Sequence, residues 1–224
     1  MTPLIAEDLL WMLHDDHTGE PLLARAVIDR VLAGAVLLEL TSITPERPVP
    51  PVRVLDSGRR GRPVLVASGG ASAESDAVLV DALCRIVGAA QDPGQLLDRF
   101  GRGLRTTLLD RLIAAGRIDC DRGRVLGVFA RGTWPTIDIA GKQQLRTRLH
   151  RVLFDAQPAD ARSEALLTLL STARATAIQC AGWEPDLVEH TARAQQHRYL
   201  SAAVVTAVER AVCRTQAGLY TGAV

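Results

Sequence analysis

Apolar residues recur every three to four positions along most of this chain, the period of helices that bury one face. Ile5–Leu13 reads as a short helix with Leu9, Leu10 and Leu13 on its apolar side. His14–Gly19 is a polar turn ending in glycine. Leu22–Leu40 follows as a longer helix, in which Leu23, Val27, Val31, Leu32, Ala35 and Leu38 form a wide apolar face. Gly34 interrupts that helix at about 1 kcal/mol relative to alanine, and close helix packing is a sufficient reason for it.

Thr44–Pro63 holds five prolines and the run Arg59-Arg60-Gly61-Arg62, so it reads as a basic loop. Short strands are expected at Val52–Leu55 and Val64–Val66, and Gly69–Ala73 is a flexible spacer. Glu74–Ala89 is a helix with Val78, Leu79, Leu83 and Ile86 inward. Asp92-Pro93 starts the next helix, with aspartate as cap and proline at the first helical position. That helix runs over 93–115 and stops at Gly116. Arg117–Cys120 and Arg124–Phe129 read as strands joined through Asp121-Arg122-Gly123. Residues 93–129 thus form a helix-plus-hairpin subregion with a winged-helix-like order. Ile139–Phe154 and Pro158–Ala173 are further helices, and Trp183–Gly218 is a long helical region with a break near His197. The fold class is mainly α, a single domain over 1–224 with one or two small β-hairpins.

The 224 residues can bury a substantial core, and aromatics make up only 4% of them, so that core is aliphatic. The formal net charge is +1, but it is unevenly distributed. Residues 1–50 carry three basic and eight acidic side chains, whereas residues 51–154 carry seventeen and ten. A basic middle suggests a local anion-binding face. Arginine outnumbers lysine twenty-five to one, Lys142 being the single lysine.

Few residues offer catalytic chemistry. No glycine-rich phosphate loop follows a strand, and neither a nucleophile-elbow nor a His-Glu-x-x-His sequence occurs. Cys84, Cys120, Cys180 and Cys213 are far apart and read as buried free thiols. His14 and His17, beside Asp15 and Asp16, lack a third ligand at metal spacing, and His190 and His197 read as a helix-surface pair. Glu7-Asp8 and Asp15-Asp16 read as solvated faces or helix starts. No metal, cofactor or catalytic residue is expected. Glu7 and Asp8 also stand where a signal peptide needs positive charge, and no apolar run is long enough to span a bilayer. A soluble, cytoplasmic protein is expected, with any membrane contact peripheral, at the inner face.

The exception is the helix over Arg99–Gly116. Leu96, Phe100, Leu104, Leu108 and Leu112 form its apolar face, while Arg99, Arg102 and Arg105 recur every three residues beside it. Guanidiniums so placed can hold one phosphate between them. Arg102 and Arg105 are the chosen pair, because Gly101 and Gly103 leave their surroundings open; Arg99 and Trp134 are accessories. The competing use of these arginines is pairing with Asp98, Asp110 or the acidic N-terminal region, which contributes little at a surface.

Several segments together carry a family likeness. They are Leu4-Ile5-Ala6-Glu7-Asp8-Leu9-Leu10, the turn Asp15–Gly19, Leu32-Ala33-Gly34-Ala35-Val36-Leu37-Leu38-Glu39-Leu40, Leu104–Gly116, Val125–Phe129 and Arg131-Gly132-Thr133-Trp134-Pro135. In their order and spacing the chain resembles the Golgi phosphoprotein 3 (GPP34) family, in its bacterial branch, over essentially its whole length. The resemblance implies a central helical bundle ringed by amphipathic helices and loops. It also implies peripheral binding of a phosphatidylinositol 4-phosphate-like headgroup, as in eukaryotic members, which bind the tails of Golgi glycosyltransferases too.

The family's lipid pocket uses a tryptophan and an arginine around the second helix, and two arginines three apart on a later one. The later pair falls on Arg102 and Arg105. The other two positions fall on Ala24 and Ala33, leaving Arg25 or Arg30 as substitutes; each missing contact is expected to cost about 1–3 kcal/mol when well desolvated. The family also uses the hairpin for self-association or membrane contact. Here its polar tip, Asp121-Arg122-Gly123-Arg124, disfavours insertion and leaves edge pairing through 117–132 as a route to a homo-oligomer.

The function expected is therefore peripheral binding of anionic lipid headgroups without catalysis. The alternative is a protein-interaction or regulatory module whose basic face docks an acidic partner or nucleic acid. Nucleic acid is disfavoured, since no aromatic stacking surface accompanies the basic residues.

Overall fold

The chain is laid around one helix that is apolar on most of its circumference. In the computed structural model, residues 2–43, 48–55, 63–68, 76–120, 132–155, 157–180, 184–186, 188, 191 and 199–221 are described, with Arg102, Tyr220 and Thr221 described by their backbone alone. α1 (Ile5–Met12) leads into the central α2 (Arg25–Thr41), whose residues from Val31 to Leu38 are all buried. A helix hydrophobic all round needs neighbours on every side. α2 receives them from α1, α4 (Pro93–Ala114), α6 (Ala161–Thr172) and α8 (Ala202–Thr221), with α3 (Ala77–Ile86) at one edge. α5 (Ile139–Phe154) and the single turn α7 (Thr176–Gln179) pack against α6. The product is a mainly α single domain, a helical bundle with one small antiparallel hairpin among the described residues.

Gly34 allows α8 to cross close against α2. A β-carbon there would stand 2.5 Å from Val208 Cγ2 on α8, in a core packed to contact.

The hairpin pairs β1 (Val52–Leu55) with β2 (Val64–Ala67) in the register Val52↔Ala67 to Leu55↔Val64. Val52 and Leu65 turn inward and are fully buried. Leu65 also exchanges backbone hydrogen bonds with Gln91, which fixes the hairpin beside the start of α4.

Aspartates open four helices. Asp76, Asp92, Asp138 and Asp160 each accept a backbone N–H from the first turn of α3, α4, α5 and α6, satisfying a donor that has no partner inside the helix. α4 ends as its glycine predicts: Gly116 takes φ +68°, its N–H bonds to Ile113 O, and the Arg117 N–H bonds to Leu112 O.

The segment after it runs beside the residues that lead into α5. Ile118 bridges to Thr136, with Asp119 N–H donating to Pro135 O and Ile137 N–H to Arg117 O. The predicted strand partner 124–129 lies outside the described residues, as do Trp183, His190 and His197. The long C-terminal helical region is interrupted at 199–201 before α8 begins.

Candidate anion-binding site

The site is assembled from the turn after α1, the start of α2, the middle of α4 and the segment before α5. Gly19 ends the turn at φ +66°, and its carbonyl accepts the Trp134 N–H at 3.0 Å. A β-carbon at 19 would collide with the backbone of Trp134 and Pro135. Asp15 fastens the same turn by accepting from the backbone of Thr18 and His17 and from the Thr18 hydroxyl, and those bonds hold its pKa below the usual carboxylate range.

Trp134 is thereby fixed between His14 and Arg105. His14 meets it edge-on with ring centroids 5.8 Å apart, and the Arg105 guanidinium lies over its face at 5.9 Å. That separation is within cation–π range. His14 Nδ1 faces Leu10 O at 2.8 Å; a carbonyl only accepts, so Nδ1 carries the proton and Nε2 is a bare, buried acceptor without a partner. Burial lowers the His14 pKa; the bond to Leu10 opposes this, and Lys142 and Arg105 add to it, so the ring is neutral at pH 7.

Arg105 itself is 13% exposed. Its Nε is buried without a hydrogen bond and stands 3.9 Å from Asp29 Oδ1. Burial, and then repulsion from Arg25, lower the Arg105 pKa, with Asp29 opposing them. Burial also raises the Asp29 pKa, and Arg105, Arg25 and Arg30 only partly offset it. Each partner of this pair is thus held toward its neutral form.

A second pair shows the opposite balance. Arg111 grips Asp76 with two nitrogens, at 3.0 and 2.7 Å, and Glu7 with Nε at 2.7 Å. The bond with Asp76 leads in raising the Arg111 pKa, and against burial the same bond lowers that of Asp76. Arg111 is committed to the fold, whereas Arg105 has an unfilled donor.

Of the sequence candidates, the structure gathers Arg105, Arg25 and Arg30 around Asp29, with Trp134 against Arg105. Arg30 is bonded to Asp98 at 2.8 Å, while Arg25 is exposed at the first turn of α2. Arg99 faces away. Its Nη1 donates to Gln91 Oε1, and its carbonyl accepts from Arg85 on α3. Residues six apart on a helix stand about 120° apart, so spacing by three does not keep Arg99 beside Arg105. Arg102 lies on α4 one turn before Arg105, described by its backbone alone.

Of the two glycines expected to leave open space, Gly101 does not and Gly103 does. A β-carbon at Gly101 would be 3.4 Å from Asp29 O, so this glycine admits α2 and not a ligand. Gly103 faces open space at φ +80° and borders a 290 Å³ cavity between α3 and α4, walled by Val78, Ala82, Phe100 and Leu104. Ala24 is exposed as the residue before α2, and Ala33 is fully buried within it.

Sequence reasoning missed the ionic interior. Glu7 and Asp8 stand in the first turn of α1, as a helix start requires, but they are buried and not solvated: Arg111 takes Glu7, while Arg117 and Arg162 take Asp8 at 2.8 and 2.6 Å. Asp16 likewise binds Arg146 with two bonds and Lys142 at 2.6 Å. Against desolvation, those bonds pull Asp16 down to about 2. Lys142 has no exposed surface; it also donates to His14 O at 2.7 Å, and burial lowers its pKa against the pull of Asp16. The signal was the charge asymmetry, since the acidic first fifty residues neutralise part of the basic middle.

Among the described residues no group of three His, Cys, Asp or Glu side chains is placed to hold a metal. His14 is committed to the core, and His17 is exposed. Cys180 is the buried thiol; Cys84 and Cys213, expected inside, are exposed.

Residues 5–214 match the family described as Golgi phosphoprotein 3 (GPP34). No curated protein matches the chain.

Proposed function

Because the chain belongs to the Golgi phosphoprotein 3 (GPP34) family, we propose that its Arg105 face binds anionic phospholipid headgroups, of the phosphatidylinositol 4-phosphate kind, peripherally and without catalysis. The observation that carries this reading is the unfilled guanidinium of Arg105. It is largely desolvated, braced over Trp134, and its buried Nε has no hydrogen-bond partner. A phosphate oxygen supplies the missing acceptor, and a desolvated arginine rewards it more than an exposed one does. Arg25 adds positive charge at the rim, and Arg102, one turn earlier on α4, is the second donor of the pair. Among the described residues no helix is long and apolar enough to cross a membrane; the contact proposed is peripheral, at the inner face of a cell membrane.

Co-sedimentation with phosphatidylcholine vesicles, with and without phosphatidylinositol 4-phosphate, tests the proposal. The wild-type protein is expected to pellet only with the phosphoinositide, and Arg102→Ala/Arg105→Ala to stay in solution. Equal pelleting of both proteins overturns the site.

A further inference from the structure

Resting on the reading of Arg105 as the headgroup contact, we infer that Asp29 is an internal counter-anion that occupies this site and must be displaced by any ligand. It thereby sets how much negative charge a ligand needs in order to bind.

Asp29 and Arg105 are brought together by close packing and not by good ionic geometry. α4 packs along α2 with Gly101 facing the Asp29 backbone, and the same packing sets the carboxylate beside Arg105. The resulting separation, 3.9 Å from Nε to Oδ1, is too long for a hydrogen bond. Arg105 Nε keeps no partner although the carboxylate is its nearest anion. A pair made for stability looks like Arg111 with Asp76, two bonds at 3.0 and 2.7 Å. The contrast separates a structural bridge from a held place.

Asp29 also has somewhere to go. Its side chain keeps 26% of its surface exposed, and Arg25 and Arg30 stand on its own helix. Arg30 is already engaged by Asp98, so Arg25 is the alternative partner. When a phosphate arrives at Arg105, the carboxylate turns toward Arg25 and solvent without leaving an unpaired charge in the interior. The exchange weakens every anion alike. A single weakly held charge then falls below the threshold, while a phosphate monoester, or several headgroups on one surface, exceeds it.

The test compares four proteins on phosphatidylcholine vesicles containing phosphatidylinositol 4-phosphate: wild type, Asp29→Asn, Arg105→Ala and the double variant. Asp110→Asn removes the same charge from an exposed position further along α4 and reports the nonspecific gain. Asp29→Asn is expected to bind about three- to tenfold more tightly than Asp110→Asn. The gain is expected to vanish in the Arg105→Ala background, as coupled residues require. If Asp29→Asn binds no more tightly than Asp110→Asn while Arg105→Ala still weakens binding, the inference fails and the headgroup reading stands. If Arg105→Ala binds as the wild type does, the headgroup reading itself fails. Thermal unfolding checks the fold of each variant, and Asp29→Ser, a smaller side chain without charge, repeats the comparison should asparagine disturb the packing.

Discussion

Trp134 is held by Gly19 through backbone alone: the tryptophan N–H donates to the glycine carbonyl at 3.0 Å, while the glycine keeps φ +66°. Both conditions exclude a β-carbon at 19. Gly19→Ala is therefore expected to lower stability by about 2–4 kcal/mol, summing left-handed strain and overpacking. Urea unfolding followed by tryptophan fluorescence measures the loss. A variant as stable as the wild type would mean that the turn tolerates the side chain and that Trp134 is positioned by something else.

Asp76 serves two elements at once, capping α3 through the Val78 N–H and bonding twice to Arg111. Asp76→Ala removes the cap and leaves a half-buried guanidinium short of a partner. The expected cost is about 3–5 kcal/mol, and calorimetry should show it as a large drop in Tm. Asp98→Ala, which loses only the exposed bridge to Arg30, is expected to change the midpoint little.

Asp16 gives the fold an acid limit. Its pKa is depressed to about 2 in the folded protein by Arg146 and Lys142, which outweigh desolvation. A depressed carboxylate stabilises fully above its unfolded value, near 4, and that contribution is lost as pH falls toward 2. Chemical denaturation across this window should show the wild type losing stability more steeply than Asp16→Asn. Parallel curves for the two proteins would place the acid sensitivity elsewhere.

Asp29 has the opposite sign. Burial raises its folded pKa, so the ionised form costs stability at neutral pH and protonation on acidification relieves the cost. Asp29→Asn is expected to be at least as stable as the wild type at pH 7, with the difference closing as the medium is made acidic. A clear loss of stability at pH 7 would show that the carboxylate is needed for folding.

Much of the architecture was legible because it is written locally. Ile139–Phe154 begins at an aspartate cap and ends where its apolar period ends, and α4 runs from Asp92-Pro93 to Gly116 as the punctuation requires. Arg105 and Trp134 could also be chosen from residue type alone. The link from Arg105 to Asp29 could not, because Asp29 lies on another helix and only the packing of α2 against α4 brings the two together. Glu7 and Asp8 were misread for a related reason. Their partners Arg111, Arg117 and Arg162 lie more than a hundred positions away in the sequence, and adjacent carboxylates with no basic neighbour look solvated until the chain closes on them.

The chain's single lysine is sealed between Asp16, His14 and Thr136. Every other cationic side chain, histidine apart, is a guanidinium, and guanidinium does not lose its proton in water at any ordinary pH. The anion binding proposed for the Arg105 face therefore has no alkaline switch-off, and acylating reagents that mark most proteins through surface lysines find no such side chain to mark.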